Sequence, residues 1–170
     1  MPQKQSVRII LFTELPEKGF VALLQKRGSY NFEEMKDETR PGGSQPTAHG
    51  GVEPGETILQ ALNREIFEEL RNAWMEKDTP NQIVELYRLE TPEKLVVTYG
   101  VKIQPEATKK IRLEPSSGGL IPITEAELKS IKDLDSFDKK LGVPENHTIA
   151  VFPDNIEALR KGFEKFRPIS

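Results

Sequence analysis

Residues 50–72 read GGVEPGETILQALNREIFEELRN, and the rest of the chain is read outward from them. A glycine-rich turn, Gly50 to Glu56, runs into Thr57, whose short hydroxyl side chain suits a helix N-cap. The apolar spacing behind it predicts a helix to about Leu70, with Leu59, Leu62, Ile66 and Leu70 on one arc. Glu65, Glu68 and Glu69 fall on the neighbouring arc, so their carboxylates meet across a single turn. Exposed like charges at that spacing repel by roughly a few tenths of a kcal/mol per pair. Burial adds to that repulsion and pushes carboxyl pKa values up. A divalent cation reverses the sign. Mg2+ takes hard oxygen ligands in octahedral geometry and keeps waters and phosphate oxygens in its remaining positions. A solvated acidic face is the competing reading of the same three glutamates.

The turn fits the cation reading. Gly50, Gly51 and Gly55 permit tight backbone and close approach to a ligand. The helix N-terminus offers oriented N–H groups and positive potential, which suits Glu56 or a phosphate. Arg64, a planar donor fork, is expected to hold Glu56 or Glu68 rather than a substrate.

Taken jointly, Gly50, Glu56, Arg64, Glu65, Ile66, Glu68 and Glu69 stand in register with G-x5-E-x7-R-E-U-x-E-E-x-G-U, where U is a bulky apolar residue. The chain thus resembles the Nudix hydrolases. It departs from their pattern at the end, where Arg71 replaces the last glycine and Asn72 the last apolar residue. That glycine normally closes the helix in a left-handed conformation. Arg71 therefore implies a longer helix or a strained turn, or a left-handed Asn72 one residue on.

The resemblance implies an α/β/α sandwich with a mixed sheet and a loop–helix–loop catalytic motif. It also implies hydrolysis of a diphosphate linkage in a nucleoside diphosphate derivative with Mg2+ or Mn2+, by a chain that admits a homodimer. By motif position Glu65, Glu68 and Glu69 are metal ligands, with the Gly50 carbonyl a further one, and Arg64 belongs to the catalytic set. Glu56 is a further ligand or the Arg64 partner. The base that activates water is Glu68 or Glu69 through the metal, or Glu114 in the loop from Leu113 to Leu120. His49 directly precedes the motif and is a candidate phosphate contact or proton carrier, against a structural histidine. Arg27, Arg40 and Tyr30 border an irregular insertion at about residues 27–47 and are candidates for substrate contact, against a solvated loop. Trp74 and Tyr87 read as packing residues, and His147 receives no role. A catalytically weak nucleotide sensor on the same fold is the alternative function.

Outward from the motif, the apolar runs predict strands at Ser6–Thr13, Phe20–Gln25, Gln82–Leu89, Lys94–Ile103, Leu120–Ile123 and Thr148–Phe152. The first is apolar enough to be covered on both faces. Phe32 to Glu38 is expected to make one or two helical turns. Thr124, with Glu127 three residues on, has capping-box spacing, and Asp154 is expected to cap a last helix through about Phe166. This order of elements gives an α/β or α+β class with a mixed sheet.

The 170 residues suit one domain. The absence of cysteine excludes disulfides, thiolate metal sites and cysteine nucleophiles. Two histidines argue against a multi-histidine zinc site. With 24 basic and 27 acidic residues the net charge is −3, which disfavours binding of long nucleic acid through phosphate neutralisation. No run approaches the roughly 20 apolar residues of a membrane span. The N-terminal residues make a poor signal peptide, so a cytoplasmic location is expected.

Overall fold

Along the first strand, β1 (Lys4–Leu15), successive side chains go to opposite cores. Val7, Ile9 and Leu11 enter one and Ile10 and Phe12 the other, all fully buried. The computed structural model describes residues 2–71, 82–146 and 148–169. Asn72, Trp74 and His147 lie outside them.

β1 pairs in antiparallel fashion with β2 (Gly19–Arg27) and in parallel with a distant strand. The excursion after β2 contains β3 (Tyr30–Asn31), β4 (Lys36–Asp37) and β5 (Ser44–Gln45), followed by β6 (Ala48–Gly51). Then come α1 (Ile58–Leu70), β7 (Val84–Glu90), β8 (Lys94–Lys102), the short α2 (Pro105–Thr108) and β9 (Ser117–Thr124). A 3-10 helix (Glu125–Ser130), β10 (Lys132–Asp133), β11 (Ala150–Val151) and α3 (Pro153–Phe166) complete the described chain. The main sheet has seven strands and is mixed, its parallel pair being β1 and β8. α1 packs on one face over Val7, Ile9, Leu23 and Val101, and α3 on the other over Ile10, Phe12 and Ala22. The architecture is an α/β/α sandwich.

One feature of the sheet places the motif. β1 and β2 pair only from Leu11–Leu15 with Gly19–Leu23 and then diverge. The segment from Ser44 to Gly51 fills the wedge, with β5 paired to Gln25 and Lys26 of β2 and β6 to Ser6–Ile9 of β1. Thr47 sits at the point of divergence, fully buried. Its hydroxyl donates to the Leu23 carbonyl at 2.5 Å and accepts from the Leu11 N–H at 2.9 Å. Both backbone groups would otherwise be buried unpaired.

Three local expectations need correction. Phe32–Glu38 is not helical: β3 and β4 form a small hairpin, and the Asn31 carboxamide accepts from the Glu33 and Glu34 N–H groups at its turn. The insertion is thereby more regular than its composition implies. Thr124 does open a helix, of 3-10 form, with the expected capping box, its N–H donating to Glu127 at 2.7 Å. The last helix begins on Phe152 with Pro153 in its first turn, because the Asp154 carboxylate is taken by Arg8 of β1 at 2.5 Å. Leu59 does not join the buried arc of α1 and is 56% exposed. The buried residues are Ala61, Leu62, Glu65, Ile66 and Leu70, an arc turned toward one of the acids.

Candidate active site

α1 begins with a reciprocal cap: the Gln60 N–H donates to the Thr57 hydroxyl at 3.2 Å, and the Thr57 N–H to the Gln60 carboxamide at 2.8 Å. This satisfies two of the donors a helix start leaves unpaired. The helix so started packs against β6, the strand that carries Gly50. A Cβ built on Gly50 would fall inside the Glu65 carboxyl group. The absence of a side chain at position 50 is therefore what lets a buried glutamate lie against the strand.

Register decides which backbone groups of β6 face the helix. The Val52 N–H donates to the Gln5 carbonyl, and Gly50 is the Cα partner of Val7. Antiparallel alternation then turns Gly50 N–H and C=O into the β1 ladder and those of His49 and Gly51 to the opposite edge. Two contacts agree with this. The His49 N–H donates to Glu69 Oε1 at 3.2 Å, and the Gly51 carbonyl accepts from Arg64 Nη2 at 2.7 Å. The Gly50 carbonyl thus takes part in the ladder to β1, and the missing side chain at Gly50 gives Glu65 room.

Arg64 is the hub of the motif. Its Nε and Nη2 grip the two oxygens of Glu56 at 2.9 and 3.1 Å. Its Nη1 reaches Glu65 Oε1 at 2.6 Å and Glu68 Oε2 at 3.1 Å. Arg64, together with the Glu53 N–H, holds the Glu56 carboxyl below its usual range. Burial pushes the Glu65 carboxyl above its usual range against the pull of Arg64. One guanidinium thus already sits between two of the crowded acids.

Glu69 stands apart from this network. His49 Nδ1 lies 3.2 Å from Glu69 Oε1 but makes no hydrogen bond, and Glu69 Oε2 is buried without a partner. A buried carboxylate oxygen left unpaired is destabilising by about 1–3 kcal/mol or more. Among the described residues no three His, Asp or Glu side chains are gathered closely enough to hold a metal ion as they stand. The donor set nonetheless suits a hard cation, with an orphaned oxygen on Glu69 and a buried carboxylate on Glu65 one turn away. Glu68 is the most exposed of the three, and Glu65 and Glu68 would turn from Arg64 to reach a shared ion.

The end of the motif settles one of the alternatives for position 71. Arg71 itself takes the left-handed conformation, φ 52° and ψ 45°, so the helix stops where a glycine would stop it. Its Nη2 reaches Glu114 Oε1 at 2.7 Å, a link that spacing does not show. The visible signal was a charged residue at a glycine position. Arg27 is placed otherwise. Its donors go to Glu38 at 2.5 Å, to Thr39 and to Gln45, so it braces the insertion. Arg40 lies over the Phe152 ring at 5.9 Å, and Tyr30 packs edge-on against Phe32. Tyr87 lies beside the Lys161 ammonium at the α3 face.

A model of the NUDIX domain matches residues 2–141. The chain belongs to the Nudix family. A MutT/Nudix family protein from Listeria innocua is similar over 97% of this chain and 94% of its own, at 24% identity and TM-score 0.62. The Ap4A hydrolase of C. elegans, in a binary complex, aligns over 96% of both chains at 20% identity and TM-score 0.53. The NUDIX domain of Shewanella oneidensis NrtR, complexed with ADP ribose, aligns over 76% of this Nudix chain and 77% of its own, at 15% identity and TM-score 0.51. At these identities the likeness is one of fold. No curated protein matches the sequence. Among the described residues no helix is long and apolar enough to cross a membrane.

Proposed function

We propose that this Nudix protein hydrolyses a diphosphate linkage in a nucleoside diphosphate derivative with the help of Mg2+ or Mn2+. The observation that carries the reading is the unpartnered, buried Oε2 of Glu69, one turn from the buried Glu65 that Gly50 accommodates. Glu65, Glu68 and Glu69 would hold the ion. Bound there, it would neutralise charge on the non-bridging phosphate oxygens and lower the pKa of a water.

The chain's own residues do the positioning. The His49 N–H fixes one oxygen of Glu69 and leaves the other for a ligand. Arg64 closes the glycine-rich turn onto the helix through Glu56 and the Gly51 carbonyl, so strand, turn and helix act as one rigid piece. A frame of this kind holds the backbone still while the Glu65 and Glu68 side chains turn from Arg64 to the ion.

The test is phosphate release from a panel of nucleoside diphosphate derivatives with Mg2+ or Mn2+ and a coupled phosphatase. Glu68→Gln and Glu69→Gln are each expected to lower turnover by orders of magnitude while leaving the melting temperature near that of wild type. Equal activity of wild type and Glu69→Gln would overturn the assignment. Stabilisation by one nucleotide with no turnover would instead establish the sensor reading.

A further inference from the structure

Arg71 occupies the glycine position of the Nudix pattern and holds a left-handed backbone that a side chain disfavours. Two contacts make the end of α1 and the loop after α2 a single corner. The Arg112 N–H donates to the Leu70 carbonyl at 3.2 Å, one of the carbonyls a helix end leaves unpaired. Arg71 Nη2 pairs with Glu114 Oε1 at 2.7 Å. The Arg112 side chain plays no part, because it folds back onto the Lys109 and Ile111 carbonyls of its own loop. Ile111, 8% exposed, packs in the same core as Leu70 and seats the loop from below. Beyond Glu114 the loop continues to Ser116, whose hydroxyl accepts from the Phe32 N–H and whose carbonyl accepts from Gly28 N–H. The loop thus joins the last turn of α1, which carries Glu68 and Glu69, to the excursion that begins at Gly28.

We propose that Arg71 is a positioning residue that holds the Glu114 carboxylate at the acidic end of α1 for the hydrolytic reaction. The inference rests on the diphosphohydrolase reading and deepens it. A strained backbone at a functional corner is expected where the side chain at that position has work that glycine cannot do. Glycine would relax the turn and release Glu114; lysine would keep a charge but present it without the planar fork.

The experiment compares Arg71→Gly, Arg71→Lys, Glu114→Gln and the Arg71→Gly/Glu114→Gln double variant. Each is assayed with Mg2+ on the nucleoside diphosphate derivative that wild type cleaves fastest, and unfolded in urea without substrate. Arg71→Gly is expected to raise the urea midpoint yet lower kcat about tenfold or more with little change in KM, within the range of a misplaced acid–base group. Arg71→Lys is expected to recover part of the lost kcat. In the Glu114→Gln background, Arg71→Gly is expected to cause no further loss, because a residue that acts through Glu114 has nothing left to position. Unchanged kcat in Arg71→Gly, or equal losses in both backgrounds, overturns the inference while leaving the diphosphohydrolase reading intact. A wild-type protein that cleaves none of the panel overturns that reading and this inference with it.

Discussion

The Glu65 carboxyl occupies the space that a side chain on Gly50 would fill. The two residues are fifteen positions apart and come from a strand and the helix laid across it. Gly50→Ala is therefore expected to destabilise the fold by about 1–3 kcal/mol, in the range of overpacking a tight site. Its Mg2+-dependent activity should fall further than the loss of folded protein explains. Urea unfolding and turnover of the same preparation check this, and a wild-type urea midpoint would contradict the geometry.

Arg64 makes two parallel bonds to Glu56, at 2.9 and 3.1 Å, and a third to the Gly51 carbonyl. Its removal leaves the buried Glu65 without its nearest cation. Arg64→Ala is expected to be destabilising by about 2 kcal/mol, as for a lost charge-assisted network. Arg64→Lys should restore less than half of that, because an ammonium cannot span both carboxylate oxygens. Thermal melts of the three proteins decide the point.

Burial and pairing push Glu65 and Glu56 in opposite directions, and the sign of each fixes a pH window. The folded state holds a proton on Glu65 above the ordinary carboxyl value of 4.5, where the unfolded chain has released it. Stability from this group therefore falls as pH rises from about that value through the raised one. Glu56 is shifted down, so its contribution is present above 4.5 and is lost as pH falls through its lowered value. In chelator-treated protein, Glu65→Gln should flatten the stability profile on the high side of 4.5 and Glu56→Gln on the low side. Urea midpoints measured across pH 3 to 8 distinguish the two variants, and the opposite assignment of limbs would sink the account.

Thr47 satisfies two buried backbone groups with one hydroxyl, at the Leu23 carbonyl and the Leu11 N–H. Thr47→Val, of nearly equal shape, should be destabilising by about 1–3 kcal/mol because both groups lose their partner. Thr47→Ser should retain most of the stability. Hydrogen exchange at the Leu11 amide gives a local readout, with faster exchange in the valine variant only.

Much of the architecture was legible where periodicity is local. The crowded apolar run from Val7 to Phe12 announced a strand covered on both faces, and Thr57 with the spacing to Leu70 announced α1. Of the two partners offered for Arg64, Glu68 was legible from i,i+4 helix spacing, and Glu56 from the capped turn that precedes the helix. What stayed hidden depends on partners far apart in the chain. Asp154 has the composition of a cap, yet Arg8, 146 residues away, takes it. Phe32–Glu38 has no β-branched residue to mark strands, and its hairpin is fixed by Asn31 at the turn and by Ser116 from another loop. The wedge between β1 and β2, and with it the turning of the Gly50 carbonyl into a ladder, follows from register alone. Register is set by tertiary packing, which spacing along one segment does not carry.

The plug at the top of that wedge has a practical corollary for engineering. Thr47 locks the chain to both long strands just before β6. The residues preceding Ser44 therefore hang from a fixed point. A hairpin tip changed only between Glu33 and Asp37, clear of the Gly28 and Phe32 bonds to Ser116, leaves that anchor in place. Surface connections tolerate such exchange at modest entropic expense. The molecule thus keeps a fixed frame around its acids and a hairpin tip whose exchange leaves that frame undisturbed.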